Sequence, residues 1–373
     1  MIPWKPSKQD YLADLDYLRE QALFEKKGNL KYKAKAGLNM QPGYDDPIME
    51  QWKADNSGPY TPDSERTNEF TLAEPTQYDQ IGLQMRTTMG SESIDISEDV
   101  ATERVVTDAG TILYVYQPAT LDADLTPIVF YHGGGWVGGA PLVPQNFLKH
   151  LAQITQRTVI NVDYALAPEK KGKWAVEECY AVLAWLATDT ADFVSSKQFI
   201  IGGDSAGANL TAAVSYLNEK NHTHYVEKQF MFYPVLTLDV DQTKDVTWEI
   251  ERFGVEDAEI KASLSKQIQE IPQGLPVMHQ IYAGGEDVTD PSFSPLMMDD
   301  VMTAKMPKTL VVTDQFDLLR PQGEYYADKL TQAGVDTTLI TYLGQEHAFL
   351  DKYGLLPQGE DATHEVNEWL QSK

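Results

Sequence analysis

The sequence predicts an α/β protein: a mostly parallel sheet of about eight strands, flanked by helices on both faces and topped by a helical cap. Three observations carry this. From about residue 100, short apolar runs alternate with stretches of helical period, the pattern of a parallel sheet with crossover helices. Two glycine-rich turns each follow one of those runs directly. The 373 residues are 42% hydrophobic and 10% aromatic, enough to bury a sizeable core, so wholesale disorder is excluded. At roughly 150 residues per domain, the length suits two or three units or one large α/β domain with additions.

Along the chain, residues 1–100 read as an N-terminal arm or cap segment. Pro42, Gly43, Pro47, Gly58, Pro59, Pro62 and Pro75 punctuate it, and Tyr11, Leu12, Leu15, Leu18 and Leu23 predict an amphipathic helix near residues 8–25. Its apolar residues are too sparse for independent folding, so it should lie on a larger body as a lid. Residues 101–373 form that body. Val105–Thr107 and Ile112–Tyr116 flank Asp108-Ala109-Gly110 as a hairpin. Further strands are expected at Pro127–Tyr131, Thr158–Val162, Phe199–Ile201, Phe230–Tyr233, Thr309–Val312 and Thr338–Tyr342, with helices such as Val176–Leu186 between them. Residues 237–290 break the alternation and read as a cap insertion.

Composition narrows the function. With 56 Asp+Glu against 30 Lys+Arg, the net charge of −26 repels nucleic acid and anionic membranes. A single cysteine, Cys179, excludes an intramolecular disulfide and a four-thiolate metal site. The N-terminus has no apolar run of signal length, and no stretch nears the ~20 apolar residues of a membrane helix. A cytoplasmic location is the expectation.

The chemistry concentrates in a few turns. Gly203-Asp204-Ser205-Ala206-Gly207 stands between a buried strand and a helix start, the setting in which a strained turn presents a serine and a helix N-terminus presents partial positive charge. His132-Gly133-Gly134-Gly135-Trp136 follows the strand Pro127–Tyr131, and its glycines leave backbone N–H groups unblocked, as an oxyanion hole requires. No Gly-Lys-Ser/Thr follows, so a phosphate loop does not fit. In the chain order Ser…acid…His, the base is His347 or His364. His347 lies just past the strand Thr338–Tyr342, at the sheet's carboxyl edge, whereas His364 falls in the amphipathic stretch Ala362–Leu370 and suits a helix surface. Spacing alone leaves the acid open between Asp314 and Asp317, with a slight edge to Asp317. His222-Thr223-His224 lacks a third metal ligand by spacing and reads as a solvated loop. Trp136 and Tyr164 either line a pocket or pack, and Cys179 reads as a small buried residue.

Taken together, His132–Trp136, Gly203–Gly207 and Asp163-Tyr164-Ala165-Leu166-Ala167-Pro168-Glu169 resemble the hormone-sensitive-lipase-like (bacterial family IV) carboxylesterases of the α/β-hydrolase fold. Phe293-Ser294-Pro295-Leu296 and Asp317-Leu318-Leu319-Arg320 match later blocks, so the resemblance spans roughly residues 100–350. It implies Ser205 as nucleophile, His347 as base and Asp317 as acid. It also implies an oxyanion hole of two amides among Gly133, Gly134 and Gly135, joined by that of Ala206. The chain departs from the family at Ala165 (usually Arg), at Lys171-Gly172-Lys173 and at Pro321-Gln322, where an acidic pair is usual. The implied activity is hydrolysis of short-chain acyl esters through an acyl-enzyme, with a small-molecule ester as partner and neither cofactor nor metal. Two rivals share these motifs: an amidase or peptidase on the same fold, and an inactive ligand-binding relative. A homo-oligomer, through a sheet edge or the cap, is not legible.

Overall fold

The computed structural model describes residues 6–21, 24–55, 74–87, 89–188, 191, 193–194, 196–239 and 246–372. The arm contributes α1 (Lys8–Glu20), β1 (Glu25–Lys27), β2 (Leu30–Lys35), α2 (Pro47–Asp55) and α3 (Gln77–Arg86). Ser7 caps α1 by accepting from the Asp10 amide, and Leu15 and Leu18 are buried while Leu12 is not. Leu23 and the turn residues Gly58, Pro59 and Pro62 lie outside the described residues. The body then runs β3 (Val100–Val106), β4 (Ile112–Pro118), β5 (Ile128–Tyr131), α4 (Gln145–Thr155), β6 (Val159–Asp163), α5 (Trp174–Leu186), β7 (Phe199–Asp204), α6 (Ala206–Lys220) and β8 (Val226–Phe232). It ends with α7 (Ala258–Met278), α8 (Asp300–Thr303), β9 (Lys308–Asp314), α9 (Arg320–Gln332), β10 (Thr337–Tyr342) and α10 (Pro357–Gln371).

The strands form one sheet in the order β1-β2-β10-β9-β8-β7-β5-β6-β4-β3. Six neighbouring pairs, from β2/β10 to β5/β6, are parallel; only β1/β2, β4/β6 and β3/β4 are antiparallel. The expected strands are present, but the sheet has ten and not eight. The two additions come from the arm: β2 lies parallel to β10, pairing Thr338 with Lys31 through Tyr342 with Lys35. β2 does alternate, Leu30-Lys31-Tyr32-Lys33-Ala34-Lys35, which reads as a strand whose lysine face is open to solvent, yet that face is covered. Lys33 and Lys35 are buried, and α10 supplies their counter-ions. Lys33 Nζ donates to both Glu365 oxygens (2.8 and 2.7 Å), and Lys35 Nζ donates to Asp361 (2.8 Å) and Glu365 (2.6 Å).

The central strands are buried on both faces, as parallel sheets are. In β5, Ile128 and Phe130 face α4 and α10, packing with Phe147, Leu151 and Val366. Val129 and Tyr131 face α5 and α6, packing with Val176, Cys179, Leu183 and Leu210. This double burial leaves the carboxyl ends of the strands as the open rim, where loops carry the polar residues.

Between β8 and β9, α7 carries Pro272 and Pro276 and buries only Leu264, which packs with Phe253, Val255 and Phe316 beside the loop after β9. The Gln322 side-chain oxygen accepts from the amides of Leu236 and Thr237 (2.6 and 2.9 Å), fixing the start of this excursion. Among the described residues, no helix is long and apolar enough to cross a membrane.

Candidate active site

Strand β7 delivers Ser205 at a sharp turn into α6. Ser205 has φ 53° and ψ −116°, a positive φ that an L residue holds only at a cost of roughly 1–3 kcal/mol. The turn closes because both flanking glycines lack a Cβ. A Cβ on Gly203 would stand 2.3 Å from Gly207 backbone atoms, and one on Gly207 would stand 1.8 Å from the Tyr131 carbonyl oxygen.

The loop after β10 brings His347 to this serine. His347 Nε2 lies 3.0 Å from Ser205 Oγ, and Nδ1 lies 2.7 Å from Asp317 Oδ2. A carboxylate only accepts, so Nδ1 carries the hydrogen and Nε2 is left bare to accept from the serine hydroxyl. The other Asp317 oxygen accepts from the Leu319 amide (2.8 Å), so each oxygen has one hydrogen-bond partner and a lone pair to spare. Loss of solvation disfavours a charged His347 ring only in part, since the side chain is still 39% exposed, and the Asp317 charge and hydrogen bond outweigh it and hold the imidazole above its ordinary 6.5. The edge of the Tyr233 ring packs on the imidazole with centroids 4.9 Å apart.

In the glycine loop the three amides differ in their partners. The Gly133 amide donates to Asp204 Oδ1 (2.8 Å), so it is spent on holding the loop against the serine turn and is not free to meet an oxyanion. The amides of Gly134, Gly135 and Ala206 have no partner among the described residues, and Ala206 opens α6, where the helix dipole adds to its pull. Gly134 has φ +115°, and a Cβ there would stand 2.3 Å from the Gly138 carbonyl oxygen. Helix α3 braces the same loop: Arg86 donates to the carbonyls of Val137 and Ala167 and pairs with Glu169 (2.9 and 2.7 Å). Tyr164 donates to the His132 carbonyl (2.6 Å) and stacks on its ring, and Trp136 stacks on Tyr282 at 4.3 Å. Both aromatics are buried supports and do not line the pocket.

The other candidates stand apart. His364 sits on α10 with its ring edge toward His150 at 6.3 Å. His222 and His224 are exposed in the turn after α6. Asp314 ends β9 fully buried, near the imidazole but not bonded to it.

Above Ser205 opens a cavity of about 450 Å³, lined by Gly133–Gly135, Val143, Asp204 and His347, and by residues that no motif announced. Trp52 of α2, together with Met89 and Glu92, comes from the arm and its connection. Asp351 and Lys352 come from the short turn Phe349–Lys352 that follows His347, and no spacing in the sequence announces them. Burial, then the neighbouring Asp351 charge, pushes Asp204 up to about 7, although the Gly133 amide and His347 pull the other way. Burial likewise raises Asp351 to about 6.

Known proteins carry the same arrangement of chain. The sequence family described as the α/β-hydrolase fold matches residues 128–351. An arylesterase of Saccharolobus solfataricus is 32% identical over 233 residues, 60% of this chain and 68% of its own. A carboxylesterase of Mycobacterium tuberculosis is 27% identical over 252 residues, 67% of this chain and 74% of its own. Among solved structures, a fungal esterase from Rhizomucor miehei superposes with a TM-score of 0.66 at 25% identity, covering 89% of this chain and 97% of that one. With the family match spanning more than half its length, the chain belongs to the α/β-hydrolase superfamily, within its hormone-sensitive-lipase-like branch of carboxylic ester hydrolases.

Proposed function

We propose that the protein is a serine carboxylesterase acting on short-chain acyl esters through Ser205, His347 and Asp317. The observation that carries this reading is the continuous hydrogen-bonded line from Ser205 Oγ through the imidazole to the Asp317 carboxylate, at 3.0 and 2.7 Å. Ser205 Oγ attacks the ester carbonyl carbon as its proton passes to His347 Nε2. The carbonyl oxygen gains negative charge beside the Gly134, Gly135 and Ala206 amides. His347 then gives its proton to the departing alkoxide, and an acyl-Ser205 remains. Water enters, loses a proton to His347 and releases the carboxylic acid, restoring the serine. Asp317 stays ionised throughout, holding the Nδ1 hydrogen and offsetting the imidazolium charge.

The short-chain preference draws on the cavity. Its 450 Å³ lies in the lower part of the range for small-ligand pockets, and Trp52, Met89 and Val143 close its walls. Resemblance to a named arylesterase and a named carboxylesterase adds esters of aryl and alkyl alcohols as substrates to try first.

Ser205→Ala tests the reading. On a chromogenic acetate or butyrate ester, kcat should fall by about 10⁶-fold, with the thermal midpoint unchanged. Undiminished turnover in that variant would remove Ser205 from the mechanism. Comparing matched ester and amide substrates separates the esterase from an amidase.

A further inference from the structure

Strand β9 ends on a carboxyl group that the mechanism above leaves idle. Asp314 is completely buried, and neither of its oxygens has a hydrogen-bond partner among the described residues. It shares the face of Val312, two residues back, and pairs across the sheet with Tyr342. One of its oxygens lies within 4.8 Å of a ligand atom on Asp317 and on His347. The charged and titratable groups around it are Asp317, His347, Lys352 and Tyr233, with Asp204 and Asp351 beyond. Lys352 is within charge range but makes no ion pair with it, being turned over the Trp52 ring at 4.5 Å. Two ionised carboxylates side by side in this dry setting would repel strongly, and only one of them is bonded to a histidine.

We propose that Asp314 is a positioning residue: a neutral carboxylic acid that turns its proton toward the Asp317 carboxylate from behind and holds that carboxylate in line for His347. Asp317 then keeps the charge, because it has the imidazole and the Leu319 amide, and Asp314 keeps the proton, because it has neither. Burial, then the Asp317 charge, drives Asp314 well above its ordinary value in the same direction. This inference rests on the esterase reading of Ser205, His347 and Asp317.

The test compares Asp314→Asn and Asp314→Ala in the full-length protein, reading kcat, KM and the pH profile on one short-chain ester. Asp314→Asn keeps a neutral group and an N–H donor, so kcat/KM should stay within about threefold of native, and the acidic limb should not move. Any alkaline inflection of the native enzyme from ionisation of Asp314 should vanish in that variant. Asp314→Ala removes the donor. Its kcat should fall by about tenfold or more at unchanged KM, as misplaced catalytic groups do. Its acidic limb should move to higher pH, because an Asp317 charge without that donor holds the imidazolium more tightly.

If Asp314→Asn instead moved the acidic limb down by about one pH unit, Asp314 would be an anion in the native enzyme and the proposal would be overturned. An Asp314→Ala enzyme with native kcat and native limbs would overturn it too, leaving Asp314 a mere filler. Ser205→Ala separates the two levels. Turnover surviving there ends the esterase mechanism, whereas an inactive Ser205→Ala beside a harmless Asp314→Ala ends only the role of Asp314.

Discussion

Two regions close on the same cavity by different physics. The turns at 132–139 and 203–207 are backbone devices. They work because glycines permit close approach and positive φ, and because a handful of amides point the right way. The arm reaches the cavity with Trp52 but is anchored by charge, its Lys33 and Lys35 buried against Asp361 and Glu365 of α10. Backbone devices tolerate few residue types and leave a mark in sequence. Buried ion pairs between segments 330 residues apart leave none, since each lysine alone looks like an exposed surface residue.

The largest effect should come from the first region's chemistry. Asp317→Asn is expected to cost about 10⁴-fold in kcat, because the amide no longer fixes the imidazole tautomer, while the thermal midpoint barely moves. The same variant carries a pH signature. His347 is held above 6.5 by Asp317, and as the proposed base it would act only when neutral, so native kcat/KM should rise with pH through that elevated value. Removing the charge should shift this limb to lower pH. A limb that stayed in place would mean another group sets it.

The second region should respond the opposite way. Lys35→Met leaves Asp361 and Glu365 short of a buried cation, and removing one partner of such a pair costs about 3–5 kcal/mol of stability. The cost should appear in the arm, as a raised KM through the displaced Trp52 wall. Labelling of Ser205 by an organophosphate should continue at the native rate. If labelling slowed as much as KM rose, arm and serine turn would be one unit energetically.

Legibility follows the same division. The strands from β5 to β10, the serine turn and the glycine loop were readable because double burial leaves continuous apolar runs and sharp turns demand glycine, while the exposed β3 and its partner β4 were readable from the turn between them. Strand β2 was not recognised, since the lysines that alternate with Leu30, Tyr32 and Ala34 read as a solvated face and give no sign that Asp361 and Glu365 of α10 cover them. Spacing also left Asp314 and Asp317 undivided, because three residues at a strand end decide which carboxyl turns out to the histidine and which stays inside. The spent Gly133 amide was equally hidden, as its partner is a side chain 71 residues away.

Next in size is the glycine loop itself. Gly134→Ala puts a Cβ 2.3 Å from the Gly138 carbonyl oxygen, at a φ of +115° that alanine avoids, so the loop must shift. Loss of one oxyanion donor costs about 10²–10³-fold in kcat. KM for the same ester should change far less. An equal rise in KM would mean that the loop shapes binding and does not act mainly on the transition state.

The smallest effect belongs to the arm's second anchor, where Asp14 of α1 and Asp46 before α2 share the Gln358 amide of α10. Burial, with Asp361 adding and the Leu38 amide opposing, raises Asp14 to about 6. Burial and then Asp14 raise Asp46 to about 7 against the amides of Ile48 and Met49. In the unfolded chain both return to 3.8. Between these values the folded arm holds protons that the unfolded chain has released, so its stability falls as pH rises from about 4 to about 7 and levels off above. Glu365 acts with the other sign. Lys35 and Lys33 overcome burial to hold it below 4.5, so its contribution is lost only as pH falls beneath that value, outside this window. Hydrogen exchange of amides in 30–55, read against those of β5 and β7, should therefore show the arm loosening between pH 5 and pH 7. The change should be on the order of 1–2 kcal/mol, because a tenfold difference in proton affinity is worth about 1.4 kcal/mol and the two carboxyls titrate partly as one. Asp46→Asn removes the carboxyl raised further of the two and should flatten that slope. A slope that persisted unchanged would move the arm's pH sensitivity away from the Asp14 and Asp46 carboxyls bonded to Gln358, and with it the claim that charge rather than backbone geometry anchors this half of the molecule.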